Sequence, residues 1–300
     1  MFFRNIQTYR LPAPWPIDLA QLEQQLARGP FIDCPASEPI SRGWISPRGD
    51  GALVHACSRQ WLIALQVEQR LLPSAVVSQE AQRRAVDMEA QQGYKPGRKQ
   101  MKELRERCAE ELLPRAFTRR RRTYAWMAPA DGWMAIDAGS PAKAEEVIEH
   151  LRWSLDDFPL SLVKTRLSPT SAMADWLASG EGPAGFSIDR DSELKAVGEE
   201  KATVRYLRHP LEGNDIKDHL AAGKLPTRLA MTWNDRLSFV LTEKLEIKRL
   251  AFLDLVKAEA EQNAKAAEEQ FDADFALMAG ELGRFLPDLM EALGGEIVDA

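Results

Sequence analysis

Thr227-Arg228-Leu229-Ala230-Met231-Thr232-Trp233, followed by Asn234-Asp235 and the run to Thr242, decides the fold class. Thr227, Leu229, Met231 and Trp233 alternate with Arg228, Ala230 and Thr232, the period of two that a half-buried strand requires. Asn234-Asp235 tolerates a tight reversal, so 227–242 is expected to be an antiparallel hairpin. Working outward, a unit of hairpin followed by helix recurs. One hairpin is expected over about 52–67, turning near Ser58-Arg59-Gln60, with a helix over about 74–92 behind it. A second spans about 123–137 and turns at Pro129-Ala130-Asp131-Gly132. Ser140 then stands as an N-cap, with Pro141 at the first helical position, where a missing N–H costs nothing. That helix lines up Ala144, Val147, Ile148, Leu151 and Leu155 on one face. A long acidic helix is expected to follow the third hairpin from near Asp254. Shorter helices are expected from an Asn214 cap to Gly223 and from Ser168-Pro169 to Gly180, with a loop over Gly180–Gly185. Antiparallel hairpins mixed with helices read as α+β, not as a doubly wound α/β sheet.

The segment from Ala75 to Leu113 is helical by pattern, with Met101, Leu104, Cys108 and Leu112 three to four residues apart. Gly93-Tyr94-Lys95-Pro96-Gly97 interrupts it, so a helix–turn–helix excursion is expected, polar enough all round to project as an arm. The chain divides into an N-terminal α+β region, 1–165, carrying this arm at about 75–113, and a C-terminal α+β region, 166–300, ending in acidic helices.

The 300 residues are 45% apolar and 28% charged, which suits a globular chain with a substantial core. No run nears the roughly 20 apolar residues of a membrane span, and the first residues hold no export signal, so a cytosolic protein is expected. Cys34, Cys57 and Cys108 are too few and too scattered for a disulfide framework or a zinc knuckle, and read as small buried residues. The net charge of −6 argues against a nucleic-acid partner, but its distribution argues for one. Residues 95–122 hold eleven basic and four acidic side chains, whereas 253–300 hold twelve acidic and three basic. Such asymmetry fits one surface for an anionic partner and another for solvent or a second subunit.

Catalytic motifs are scarce. His55, His150, His209 and His219 are dispersed, and His55 with Cys57 makes only two potential ligands, too few for zinc. Gly223-Lys224 lacks the following Ser or Thr of a phosphate-binding loop and reads as a helix end. In Phe271-Asp272-Ala273-Asp274-Phe275 the carboxylates could hold magnesium for nuclease chemistry. Two apart on a helix, however, they point in different directions, and the expected arrangement puts Phe271, Phe275 and Met278 in the core with both aspartates outward. Neither a cofactor, a metal nor a catalytic residue is expected. The strongest positive signal is Arg115-Ala116-Phe117-Thr118-Arg119-Arg120-Arg121-Arg122, since arginine suits bidentate phosphate contacts. If the run is extended, alternate arginines face opposite sides. Lys201, Arg205, Arg208 and Lys224, with Lys244, Lys248 and Arg249, could extend a basic lining. No recognition helix or zinc finger appears, which favours sequence-independent phosphate contact. Phe117 reads equally well as an interface anchor or as a core residue.

Several blocks in order resemble the RdgC family of recombination-associated proteins. They are Phe3-Arg4-Asn5-Ile6-Gln7-Thr8-Tyr9-Arg10-Leu11, the turn Gly43-Trp44-Ile45-Ser46-Pro47, Leu112-Leu113-Pro114-Arg115-Ala116-Phe117, Ala222-Gly223-Lys224 leading into Thr227-Arg228-Leu229-Ala230, 271–282, and Leu293-Gly294-Gly295-Glu296. The resemblance implies a nucleoid-associated protein that dimerises into a ring with a positively charged hole. It implies binding of double-stranded DNA with little sequence preference, and antagonism of the RecA recombinase without enzymatic chemistry. It places Phe117 at a dimer contact and Arg208 with His209 in a polar loop near DNA or the second subunit. Leu207 and Pro210 depart from the family pattern there. The expected DNA-binding residues are Arg115, Arg119, Arg120, Arg121, Arg122, Arg205, Arg208 and Lys224. The expected interface residues are Phe117 and His209. The rival readings are a metal-dependent nuclease using Asp272 and Asp274, and an adaptor whose acidic helix contacts a basic partner such as the recombinase itself.

Overall fold

The computed structural model describes residues 2–198, 202–211, 213–254, 256 and 267–297. Its strands are β1 (Ile6–Arg10), β2 (Ile40–Ile45), β3 (Val54–Cys57), β4 (Gln60–Arg70), β5 (Thr118–Ala128), β6 (Trp133–Asp137), β7 (Ser161–Leu162), β8 (Phe186–Ala196), β9 (Thr203–Tyr206), β10 (Lys224–Trp233), β11 (Leu237–Thr242) and β12 (Ile247–Phe252). The helices are α1 (Leu19–Leu26), α2 (Ser74–Gln92), α3 (Arg98–Leu112), α4 (Pro141–Ser154), α5 (Pro169–Ser179), α6 (Asn214–Ala221) and α7 (Ala267–Ala292). The strands form one mixed-length antiparallel sheet in the order β2-β4-β5-β6-β1-β12-β11-β10-β8-β9, with β3 paired to β4 and β7 to β1. The fold is α+β, as the hairpins imply.

All three hairpins form. Ser58 and Arg59, and Asn234 and Asp235, take positive φ, the twist that a two-residue loop needs between right-twisted strands. The third unit is not a hairpin followed directly by a helix, because β12 intervenes and pairs with β11. Of the helix expected from about Asp254, residues 255 and 257–266 lie outside the described residues; Asp254 and Val256 are helical, and α7 is described from Ala267. Gly43-Trp44-Ile45 belongs to β2 rather than to a turn. A Cβ on Gly43 would lie 2.3 Å from the Phe31 backbone, so glycine there permits the close pass of the Pro30 segment against Trp44. Ser140 occupies the N-cap position of α4 without a side-chain capping bond, and Gly213 rather than Asn214 is the N-cap of α6.

Two clusters sandwich the sheet. On one face, α1 and α4 bring Leu22, Leu26, Val147, Ile148 and Leu151 against Ile63, Leu65, Val67, Met127, Met134 and Ile136. On the other, Phe275, Met278, Leu282, Phe285 and Leu289 of α7, with Met173 and Leu177 of α5, meet Leu62, Trp126, Trp133, Leu229, Met231 and Phe239. Each such side chain taken out of water contributes roughly 1.5–3 kcal/mol before chain entropy is counted. Because β4 and β6 are covered on both sides over Trp61–Leu65 and Trp133–Ile136, those stretches read as unbroken apolar runs. The sheet and the second cluster pass through the boundary expected near residue 165, which falls between β7 and α5.

α2 and α3 pair as the expected helical hairpin, broken at Gly93, whose φ of +80° ends α2. Their contact is a separate small cluster of Ala81, Ala85, Leu104 and Cys108, so the arm has a core of its own. Cys34 and Cys108 are buried and Cys57 is half-buried. Among the described residues no helix is long and apolar enough to cross a membrane.

Candidate nucleic-acid interface

The register of β5 against β4 sets what the arginine run can reach. Arg119, Arg120, Arg121 and Arg122 stand opposite Gln69, Glu68, Val67 and Gln66. The pleat sends Arg119 and Arg121 to the face that carries α4, and Arg120 and Arg122 to the other. Arg121 pairs with Glu146 of α4. Arg120 bridges Glu68 at 3.0 Å and Asp33 at 2.9 Å and lies over the Phe31 ring. Arg122 donates Nε–H to Gln66 Oε1 at 3.2 Å. The Glu68 carboxyl sits below its ordinary value, because the Cys34 N–H donates to it and Arg120 faces it. Arg115, Arg119 and Arg122 are exposed, and Arg119 makes no ion pair among the described residues. Of the eleven basic side chains in 95–122, ten are exposed and Arg121 is half-exposed.

Phe117 is 86% exposed, so it does not pack inward. Its backbone carbonyl accepts from Leu71 N–H at 2.7 Å, which holds the ring at the foot of the arm beside the exposed Leu71.

The second group lies elsewhere. β9 is the last strand of the sheet and β5 the third, a separation of seven strand steps, or roughly 34 Å at ~4.8 Å each. One chain therefore does not gather the eight expected residues into one site. Arg205 pairs with Glu193 across the β8–β9 ladder. Arg208 adopts a left-handed backbone, φ +54°, and its N–H donates to Asp191 at 2.8 Å. His209 is exposed, with its ring 5.5 Å from that of Tyr206 and Nδ1 2.8 Å from the Pro210 carbonyl. Lys224 Nζ lies 2.9 Å from His219 Nδ1, so it is turned toward α6. Lys201 lies outside the described residues. Lys248 reaches the Gly139 carbonyl and Glu246, and Arg249, itself left-handed at φ +53°, pairs with Asp191 at 3.2 Å.

Sequence reasoning missed what joins several of these residues. In the C-terminal half, the sheet face continuous with that of Arg119 and Arg121 has no helix over it among the described residues. Register carries this face through Lys248, Val240, Arg228, Glu193 and Arg205. Arg228, which read only as the polar member of an alternating pair, is exposed there, opposite Glu193. The sequence signal was the charged string Asp189-Arg190-Asp191-Ser192-Glu193, whose alternation is obscured by two irregularities in the β8–β10 ladder.

The enzyme-like string resolves differently from expectation. Phe275 and Met278 are buried, but Asp272 does not face outward. It accepts from Arg48 at 2.9 Å and lies 3.5 Å from His55 Nε2, while the His55 ring meets Phe271 and Phe275 edge-on. Burial lowers the His55 pKa despite the nearby Asp272 carboxylate. Asp274 accepts from Gln270 instead, at 2.7 Å. Among the described residues no three His, Cys, Asp or Glu side chains gather as a metal site.

A family model described as "Putative exonuclease, RdgC" matches residues 1–296. The chain is 69% identical to the recombination-associated protein RdgC of Dechloromonas aromatica, over the full length of both. It is 52% identical to that of Herminiimonas arsenicoxydans, with 99% of each chain covered, and 50% identical to that of Burkholderia orbicola, over 100% of this chain and 98% of the relative. With matches that run end to end, the chain belongs to the RdgC family of recombination-associated proteins.

Proposed function

We propose that this protein binds double-stranded DNA without sequence preference, acts as a ring-shaped homodimer around the duplex, and restrains a RecA-type recombinase without chemistry of its own. The observation that carries the reading is the exposed basic surface of the arm and the β5 entry, set beside an aromatic ring left in solvent. Ten exposed cations over 95–122 supply phosphate contacts, and nothing near them reads base edges. Phe117 supplies an apolar anchor of the kind that is covered at interfaces. The acidic segment 253–300 lies at the other end of the charge distribution, and a negative outer field disfavours side-on association with DNA. A closed dimer also makes dissociation wait on opening an interface, so residence is long although each phosphate contact is weak. Blocking a recombinase then follows from occupying the duplex. The partners of Asp272 and Asp274 favour this reading over a metal-dependent nuclease.

The test is a fluorescent-duplex titration at several salt concentrations, with sedimentation for the oligomeric state. Log affinity is expected to fall linearly with log salt, by about 0.9 for each phosphate neutralised. The variant with Arg119, Arg120, Arg121 and Arg122 all changed to Ala is expected to lose affinity equally for unrelated sequences. No binding by the wild type at low salt overturns the reading.

A further inference from the structure

The uncovered face of the C-terminal half-sheet holds a cavity of about 290 Å³ whose rim carries Arg205, Arg228, Lys248 and Arg249 together with Glu193 and Asp191. Four cations against the two rim carboxylates, and Glu246 on Lys248 just behind the rim, leave an excess of one positive charge around a space large enough for a phosphodiester group. The carboxylates are placed with care. Glu193 is largely shielded from solvent and accepts from Thr227 Oγ1 at 2.9 Å and from Arg205 Nε at 2.9 Å, with Arg228 Nε 4.0 Å away. Burial pushes its pKa up, but the bonds from Arg205 and Thr227 and the charge of Arg228 more than reverse this, so it is ionised at neutral pH. Asp191 accepts from the Arg208 N–H and pairs with Arg249. Arg208 and Arg249 both hold a left-handed backbone that arginine ordinarily avoids, so the rim is built at some local cost in conformational energy.

We infer that this cavity is a seat for a backbone phosphate of the bound duplex, and that Glu193 and Asp191 are its resident counter-ions, which an arriving phosphate displaces from Arg205, Arg228 and Arg249. The inference rests on the duplex-binding reading and adds to it a built-in attenuator. The carboxylates keep the arginines extended and ordered, and each contact made to DNA is the difference between a phosphate and a carboxylate rather than the whole of a phosphate contact. A protein that encircles DNA and must still move along it gains from such exchange, because no single phosphate is held tightly. The occupant is an anion by charge complementarity. A phosphate chain in particular suits the cations, which are spread over three strands, β9, β10 and β12, instead of converging on one point.

The experiment measures full-length wild type, Glu193→Gln, Asp191→Asn and Glu291→Gln against a short fluorescein-labelled duplex over a salt series, with sedimentation of each. Glu291 is exposed on α7 and matches the change in net charge away from the seat. Glu193→Gln and Asp191→Asn are each expected to bind about five-fold tighter at low salt, with a steeper log–log slope, while Glu291→Gln stays at the wild-type value. Asp191→Asn carries the test if Glu193→Gln fails to fold, as read from its circular dichroism and melting. Unchanged or weaker binding by both seat variants overturns the inference while leaving the duplex reading standing. An equal gain in Glu291→Gln overturns it as well, by assigning the effect to net charge. Tighter self-association with unchanged duplex affinity overturns it in favour of an acidic segment of a second copy as occupant. A wild type that does not bind duplex removes the duplex reading itself, and the seat with it.

Discussion

The same sheet face meets two different fates in the two halves of this molecule. Over β4, β6 and the Ala125–Met127 end of β5 it is apolar and lies under α1 and α4. Over β10, β11 and β8 it carries Arg228, Thr232, Ser238, Val240, Asp191 and Glu193, and among the described residues no helix covers it. The opposite face carries an apolar cluster that runs through both halves and packs against α5 and α7. Layering therefore changes from helix–sheet–helix to sheet–helix within one continuous ladder, and the site follows from that change. Where the second helical layer stops, at Gly139 ahead of α4, the charged cavity begins. A strand covered twice has little room for polar side chains, whereas a strand covered once is free to use alternate positions for function.

The comparison breaks most visibly if the covered face is not a packed core. Leu151→Ala, which removes a fully buried side chain of α4, is expected to destabilise the protein by about 2–5 kcal/mol in denaturant titration. A loss under about 1 kcal/mol would mean that α4 only rests on the sheet.

A smaller effect marks the seam between the halves. Tyr9 of β1 lies at the edge of the covered face, and burial first, then the charges of Glu145 and Glu246, push its hydroxyl up to about 12. Its unfolded value is near 10, so the folded state holds this proton more tightly than the unfolded state does. The associated stability is complete below pH 10 and disappears as pH rises toward 12, a change on the order of 2 kcal/mol. Tyr9→Phe is expected to remove that component of the alkaline decline. An identical decline in the variant would place the titrating group elsewhere.

The smallest effect is the sharpest contrast. Val240→Ala lies on the open face of β11 and is expected to cost less than about 1 kcal/mol. A cost matching that of Leu151→Ala would mean that something covers the open face in solution, and a second subunit would be the first occupant to seek by sedimentation.

Much of the covered architecture was legible because turn chemistry and periodicity are local. Asn234-Asp235, Ser58-Arg59, the Pro141 start and the Gly93 stop each mark an element by its own residues. β12 escaped because Arg249 interrupts its alternation with a left-handed residue, and β8 because two ladder irregularities and a run of charges hide its apolar members. The arginines were legible as candidates. Their grouping was not, since register over ten strands decides that Arg228 joins Arg205 and that Arg119 does not. Nor could a helix wheel show that Asp272 turns inward, because the groups that attract it, Arg48 and His55, come from the far side of the chain.

The order in which the strands are made gives the covered half a particular history on the ribosome. β1, the strand that joins the two half-sheets, is synthesised first, and by residue 137 every strand of the β2-β4-β5-β6-β1 half has emerged. That half-sheet can close while the rest of the chain is still being translated. Its second face, with Leu62, Trp126 and Trp133, is covered only when α7, far later in the chain, arrives. Between the making of β6 and of α7 the nascent chain thus presents an apolar surface that includes Trp126 and Trp133, which makes it a natural client for chaperones that hold apolar chains during translation.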